Sequence, residues 1–132
     1  MKLKRDHEVA YALMRFMAGT MFAFHGSQKL LGWPGDREPV EFASLRWFAG
    51  VIELLGGPMI ALGVFGSAAA FIASGMMAVA YFKAHAGDGF NPIINRGELA
   101  VLYSFVFLYI AARGSGPFSL DAAWRRKGGE SA

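Results

Sequence analysis

The sequence contains no cysteine and little charge. The absence of cysteine from all 132 residues excludes disulfide bonds, thiolate metal sites and any dithiol relay formed by this chain. Charged residues make up 17% of the chain and hydrophobic residues 55%, a balance that excludes an intrinsically disordered protein. The length is typical of one domain. Long runs that are almost free of charge take up most of the chain.

Four segments are apolar over nearly the ~20 residues that a helix needs to cross a bilayer. They are residues 9–31, 47–65, 67–86 and 97–113. A water-soluble bundle is the alternative, but so small a chain cannot bury four helices that are apolar on all sides. The first segment resembles a secretory signal, yet Arg15 interrupts it and no small-residue cleavage site ends it. We therefore predict an all-α integral membrane four-helix bundle, with residues 1–118 as a single domain.

Turn-forming and capping residues set the predicted ends of the helices. Acidic Asp6 and Glu8 suit a helix N-terminus, so we predict that the first helix begins after Glu8. Residues 47–85 as one helix would be nearly twice the thickness of a bilayer, so the chain must turn, and Gly63 and Gly66 are the natural places.

The polar tail, residues 119–132, is predicted to form a short interfacial helix capped by Ser119 or Asp121. Four crossings would place both termini on one side of the membrane. Seven basic residues lie near that side and five near the other: Lys2, Lys4, Arg5, Arg113, Arg125, Arg126 and Lys127, against Lys29, Arg37, Arg46, Lys83 and Arg96. The positive-inside rule then predicts cytoplasmic termini. These basic residues form no stripe, so no nucleic acid partner is predicted.

Polar side chains from all four predicted helices fall at one depth, near the outer face. They are His25, Gln28, Lys29, Glu53, Lys83, His85 and Glu98. Ionisable groups in a membrane are costly and usually face a bundle interior or a cavity. Glu53 lies on a stripe of small residues, where helices approach closely, so we predict that it faces inward and pairs with Lys29 or His25. Lys83 and Glu98 would form a second pair. The alternative is that all of these are structural ion pairs and interfacial residues.

Three polar residues are interpreted as structural: Lys83 of this cluster, and Arg15 and Asp121 outside it. No acidic residue of the other helices matches the depth of Arg15, so we expect it to reach towards the interface or to pair with Asp121. His25 and His85 lie on different helices and could in principle be axial ligands of haem iron. However, His85 ends its helix and no CxxCH motif is present, so we expect neither haem nor another bound metal.

Short motifs throughout the chain resemble the DoxX family of small four-helix membrane proteins. They are Arg15 with the following Phe-Met-Ala-Gly, Phe24-His25-Gly26-Ser27-Gln28-Lys29-Leu30, Glu53-Leu54-Leu55-Gly56-Gly57 with Gly63, His85 before a polar loop, Gly97-Glu98, and Gly114-x-Gly116-Pro117-Phe118-Ser119-Leu120-Asp121. The resemblance runs from about Ala12 to Asp121. It implies a multi-pass protein of a bacterial or archaeal cytoplasmic membrane, in a family that includes subunits of quinone-linked respiratory oxidoreductases and proteins of oxidative-stress or sulfur metabolism.

Three functions follow as hypotheses. In the first, the chain is the membrane subunit of a quinone- or quinol-linked redox complex, and the outer polar cluster binds the head group or relays protons. The residues that would do so are His25, Gln28, Lys29, Glu53, His85 and Glu98. Electrons would come from a membrane or peripheral redox partner, which leaves open whether this chain is itself an enzyme. The second hypothesis is a non-catalytic assembly subunit, with oligomers left open. The third is a small-molecule carrier, suggested by a helix interrupted at Pro58 near Glu53.

Overall fold

The computed structural model describes residues 1–130, which form five α-helices and one 3-10 turn. The helices are α1 (Lys2–Leu31), α2 (Leu45–Leu62), α3 (Gly66–Ala84), α4 (Glu98–Arg113) and α5 (Leu120–Glu130). The 3-10 turn, Ala86–Asp88, directly follows α3. No β-strand occurs within the described residues. The predicted all-α fold class is confirmed.

By length and composition, two helices of the described chain could cross a membrane, where the sequence predicts four. These are α2 and α3. Of the residues in the apolar stretch of each helix, 28% are buried in α2 and 33% in α3. Most residues of these two helices are therefore at least partly exposed. Helix α4 has only 16 residues, which span about 24 Å at 1.5 Å per residue. Helix α1 is long enough, but it carries Arg15, His25 and Lys29.

Helix α1 begins at Lys2, so the prediction that it starts after Glu8 is wrong. Glu8, the last residue of the added part of α1, contacts the end of α4. The Glu8 carboxylate lies 2.5 Å from a guanidinium nitrogen of Arg113, and the same guanidinium stacks 3.8 Å from the ring centroid of Tyr11. These tertiary contacts stabilise the added part of α1 next to Glu8, whereas residues 2–7 are exposed.

The turn between α2 and α3 lies where the sequence predicts it. Gly63 ends α2 with φ +70°, a left-handed conformation that glycine adopts without a steric cost. Asp121 then caps the start of α3, because its carboxylate accepts hydrogen bonds from the backbone amides of Phe65 at 3.0 Å and Gly66 at 3.2 Å. The hydroxyl of Ser115 also donates to it, at 2.6 Å.

Burial raises the pKa of the Asp121 carboxyl, but the hydrogen bonds from Ser115, Phe65 and Gly66 outweigh that effect and hold the pKa below its usual value. The tail forms the predicted helix, α5. The Ser119 hydroxyl accepts a hydrogen bond from the Ala122 amide at 3.2 Å, as expected of an N-cap. Residues 131–132 of the predicted tail lie outside the described residues, and an interfacial position for the tail remains a prediction.

The four long helices pack mainly as two pairs, α1 with α2 and α3 with α4. Glycine permits a close approach of the first pair, for example at Gly19 against the backbone of Gly57 and Ala61. Reciprocal hydrogen bonds join the second pair: the Ser74 hydroxyl donates to the Ser104 carbonyl at 2.7 Å, and the Ser104 hydroxyl donates to the Ser74 carbonyl at 3.1 Å. The core between the pairs contains Phe22, Ile60, Ala70, Ala73, Phe107 and Ile110.

Gly19→Ala is expected to destabilise the protein by about 1–3 kcal/mol, the usual cost of overpacking. An added Cβ would lie 2.5 Å from both the Gly57 carbonyl oxygen and the Ala61 amide nitrogen, and backbone atoms cannot move aside easily. The matched control is Gly75→Ala on α3, where the Cβ would meet nothing within 4 Å and alanine favours the helix. Thermal unfolding in detergent measures both variants. Equal midpoints for the two would contradict close packing at Gly19.

Candidate ligand-binding cavity

A cavity of about 530 Å³ lies among α1, α2, α3 and α4. It is at the loop end of the molecule, which we define as the end where α1 and α3 finish and α2 and α4 begin. Its apolar walls include Phe22, Phe48, Ile52, Met76, Met77, Val79 and Leu99. Its polar residues are His25, Lys29, Arg46, Glu53, Lys83, His85, Arg96 and Tyr103. Its size and lining are typical of small-molecule sites.

Glu53 is the most deeply buried ionisable residue of the cavity, with 2% of its surface exposed. Its Oε1 lies 2.6 Å from Lys29 Nζ, which confirms the predicted pairing. The small residues of α1 and α2 make this distance possible. Gly26 has no side chain to separate the helices, and an added Cβ there would lie 2.7 Å from the Gly50 carbonyl oxygen.

Two buried oxygens of the cavity residues have no hydrogen-bond partner among the described residues: Glu53 Oε2 and the Tyr103 hydroxyl. His25 interacts with both residues. Its ring packs edge-on against that of Tyr103, with 6.2 Å between the ring centroids, and it interacts electrostatically with Glu53. A buried polar atom without a partner costs about 1–3 kcal/mol. A bound molecule that offers a donor to Glu53 and a polar group to Tyr103 would remove that cost.

His85 also lines the cavity, and its Nδ1 lies 3.1 Å from the Asn95 carbonyl oxygen in the loop before α4. His25 on α1 and His85, the residue that follows α3, therefore line the same cavity. Within residues 1–130, no group of three or more His, Asp or Glu side chains is arranged to hold a metal ion.

Two of the predicted site residues lie elsewhere. Gln28 donates a hydrogen bond from Nε2 to the Pro34 carbonyl at 2.9 Å, so its amide secures the loop after α1. Glu98 is exposed at the start of α4 and does not line the cavity. The predicted pair of Lys83 with Glu98 is wrong, because neither residue forms an ion pair in the described part of the chain. The α3 to α4 loop is held by its own hydrogen bonds and does not need that pair.

Arg15 is buried, with 2% of its surface exposed, and the predicted ion pair with Asp121 is wrong. Arg15 makes no ion pair with Asp121, which instead caps α3; that the Arg15 side chain reaches towards the interface remains a prediction. Its Nη1 donates to the carbonyls of Ile60 at 2.8 Å and Ala61 at 2.9 Å, and its Nη2 donates to the Phe118 carbonyl at 2.7 Å. The last carbonyls of α2 have no partner within their helix, which is why a buried guanidinium fits there.

Sequence reasoning missed three polar residues of the cavity: Arg46, Arg96 and Tyr103. Both arginines were counted only as charges that set the topology. Tyr103 lies five residues into α4, about 8 Å below its start, at a depth similar to that of the predicted cluster. Counting tyrosine hydroxyls among the polar groups at that depth would have found it.

The fold and the cavity define a small all-helical protein in which four helices surround a site with apolar walls and a polar floor. The DoxX family model matches residues 10–86, more than half of the chain. The chain belongs to the DoxX family, as its motifs predict. DoxX proteins are membrane-associated, in agreement with the two apolar helices α2 and α3.

Two relatives from Haemophilus influenzae strain Rd, each named only as an uncharacterized protein, match nearly the whole chain. The first is 44% identical over 123 residues, which cover 88% of this chain and 91% of the relative. The second is 27% identical over 126 residues, covering 86% of this chain and 82% of the relative. No solved structure matches the chain significantly.

Proposed function

We propose that this protein crosses a bacterial or archaeal cytoplasmic membrane four times, with α1 to α4 as the bundle and both termini in the cytoplasm. The loop end then lies at the outer face. Large apolar side chains are exposed along the sides of the helices, for example Phe71 at 67%, Phe82 at 62% and Phe105 at 66%. Lipid would cover these side chains, which water would not solvate favourably.

We further propose that the protein is the membrane subunit of a redox complex and that its cavity binds the head group of a quinone or quinol. The observation that carries this proposal is the pair of buried, unpartnered oxygens on Glu53 and Tyr103 in a cavity with mostly apolar walls. A quinone is an apolar ring with two polar oxygens. Such a shape fits a site with apolar walls and two unused hydrogen-bonding groups.

The roles of the side chains follow from their chemistry. The Tyr103 hydroxyl donates to a quinone carbonyl, and Glu53 Oε2 accepts a hydrogen bond from a quinol hydroxyl. Lys29 balances the charge of Glu53, and His25, whose imidazole ring can both donate and accept a proton, exchanges protons with the head group. Reducing a quinone to a quinol takes two electrons and two protons; a partner redox protein supplies the electrons.

Glu53→Gln and Tyr103→Phe are each expected to lower bound quinone at least about tenfold, since one lost hydrogen bond to a buried polar group costs roughly 1.5–3 kcal/mol. The protein is purified in mild detergent from its own membrane, its small molecules are extracted, and quinone per chain is measured by mass spectrometry. Glu98→Gln is the matched control, because Glu98 is exposed outside the cavity. Its quinone content should equal that of the wild type.

Thermal unfolding of each variant shows whether the bundle remains folded. A quinone-free wild-type preparation that still co-purifies with a defined complex would contradict the proposal. That result would identify the protein as an assembly subunit.

A further inference from the structure

Three basic side chains surround the outer opening of the cavity: Arg46 at the start of α2, Lys83 near the end of α3, and Arg96 just before α4. We name these three residues the cationic lip. All three are exposed, and none forms an ion pair within residues 1–130. The one carboxylate among the lining residues, Glu53, is already paired with Lys29. The opening therefore carries an excess of positive charge that no side chain of the cavity balances.

Arg96 has an unusual backbone conformation for its residue type. Its φ is +60°, in the left-handed region that costs a non-glycine residue free energy. Asn95 holds this conformation, because its side-chain amide donates to the Gly89 carbonyl at 2.7 Å and its Oδ1 accepts from the Gly97 amide at 2.8 Å. Of the described non-glycine residues with positive φ, Arg96 alone lines this cavity. Glycine would satisfy the backbone at lower cost, so the guanidinium at the opening is the feature that needs a function.

Exposed apolar side chains line the same cavity next to the lip. Phe48 at 52%, Val79 at 52% and Leu99 at 46% exposure lie deeper along their helices than the lip residues, and Leu45 at 64% lies beside Arg46 at the start of α2. A free oxyanion such as inorganic phosphate would contact only the three basic side chains of the lip. An amphiphile with an anionic head group uses both the cations and the apolar surface next to them.

We propose that the cationic lip binds the phosphate of an anionic phospholipid of the outer leaflet, with the acyl chains lying along the apolar side chains below it. This inference rests on the membrane placement proposed above and not on quinone binding. Glu53 lies eight residues into α2, about 12 Å below Leu45 along the helix axis. The lipid phosphate and the quinone head group therefore occupy different depths and do not compete for the same atoms.

The test titrates the full-length protein in neutral detergent with phosphatidylglycerol or phosphatidylcholine of identical acyl chains, and counts bound lipids by native mass spectrometry. Wild-type protein is expected to bind phosphatidylglycerol about tenfold more tightly. Arg96→Gly should lose that preference while its thermal midpoint stays equal or rises, because glycine adopts a positive φ without strain. Arg126→Gln on α5 removes the same charge away from the lip and should keep the preference.

Equal affinity for the two lipids in wild-type protein would overturn the proposal, as would an equal loss of preference in Arg126→Gln. Inorganic phosphate is the third probe. If millimolar phosphate displaces phosphatidylglycerol, the lip is a site for free oxyanions and the lipid assignment is wrong. Quinone per chain is measured in the same wild-type preparation, so equal affinity for the two lipids with quinone retained overturns the lipid site alone.

Discussion

Lys29→Met is expected to destabilise the protein by about 3 kcal/mol, near the lower end of the range for breaking a buried ion pair. The substitution leaves the Glu53 carboxylate, whose side chain is 3% exposed, without the ammonium group 2.6 Å away. The Lys29 side chain is itself 26% exposed, so solvent moderates the effect. Unfolding in mixed detergent micelles, followed by circular dichroism, measures the change in free energy.

The double variant Lys29→Met/Glu53→Met separates the cost of an isolated charge from loss of packing. We expect it to recover most of the lost stability, because replacing both members of a buried pair by apolar residues is often close to neutral. Lys4→Met is the control for removal of one exposed cation from α1 and should change the free energy of unfolding by less than about 0.5 kcal/mol. A single variant as stable as Lys4→Met would show that Glu53 is not held by Lys29.

Arg15→Met is expected to cost more than about 3 kcal/mol and to release the C-terminal segment. The guanidinium donates to the carbonyls of Ile60 and Ala61 at the end of α2 and to Phe118 before α5. Removing it leaves the Ala61 and Phe118 carbonyls without that donor, while the Ile60 carbonyl keeps a hydrogen bond from the Gly63 amide. Each buried acceptor that loses its partner costs about 1–3 kcal/mol. Limited proteolysis should then cleave after Phe118 faster than in the wild type, and the thermal midpoint should fall.

Arg15→Lys tests whether charge alone is sufficient. An ammonium group cannot reproduce the planar fork of a guanidinium, so this variant should lie between Arg15→Met and the wild type in stability. Arg5→Met, at an exposed position of the same helix, should leave both the midpoint and the cleavage rate unchanged. Wild-type stability in Arg15→Lys would show that the three carbonyls do not need the fork.

The parts of the site that could be predicted depend on helical spacing. Glu53 falls on a stripe of small residues in the N-terminal half of α2, and Lys29 lies near the C-terminal end of α1. When the two helices pack antiparallel, the two side chains come to the same depth and can form an ion pair. The turn at Gly63 could be predicted for a similar reason, since a continuous helix would be too long for one bilayer crossing. Both predictions use only local sequence and a known length.

The parts that could not be predicted depend on loops and on backbone carbonyls. Arg15 binds carbonyls of Ile60, Ala61 and Phe118, and a carbonyl has no sequence signature because every residue carries one. The sequence predicts Asp121 as a possible ion-pair partner, yet the end of α2 and Phe118 supply the acceptors. Glu98 was placed in the cluster by its position at the start of α4, but the rotation of that helix turns Tyr103 towards the cavity instead.

By itself, the sequence determined that the chain is helical and that it belongs to the DoxX family. It also determined the position of the turn between α2 and α3 and the pairing of Glu53 within the bundle. These features could be predicted because periodicity, glycine placement and motif order are local properties of the sequence. Only the tertiary structure decided which polar groups share the cavity, which oxygens remain unpartnered, and where Arg96 stands. Those features depend on how the helices rotate against one another and on how Asn95 and Asp121 hold the connecting segments. Contacts between residues far apart in the chain set both, and no short window of sequence contains them.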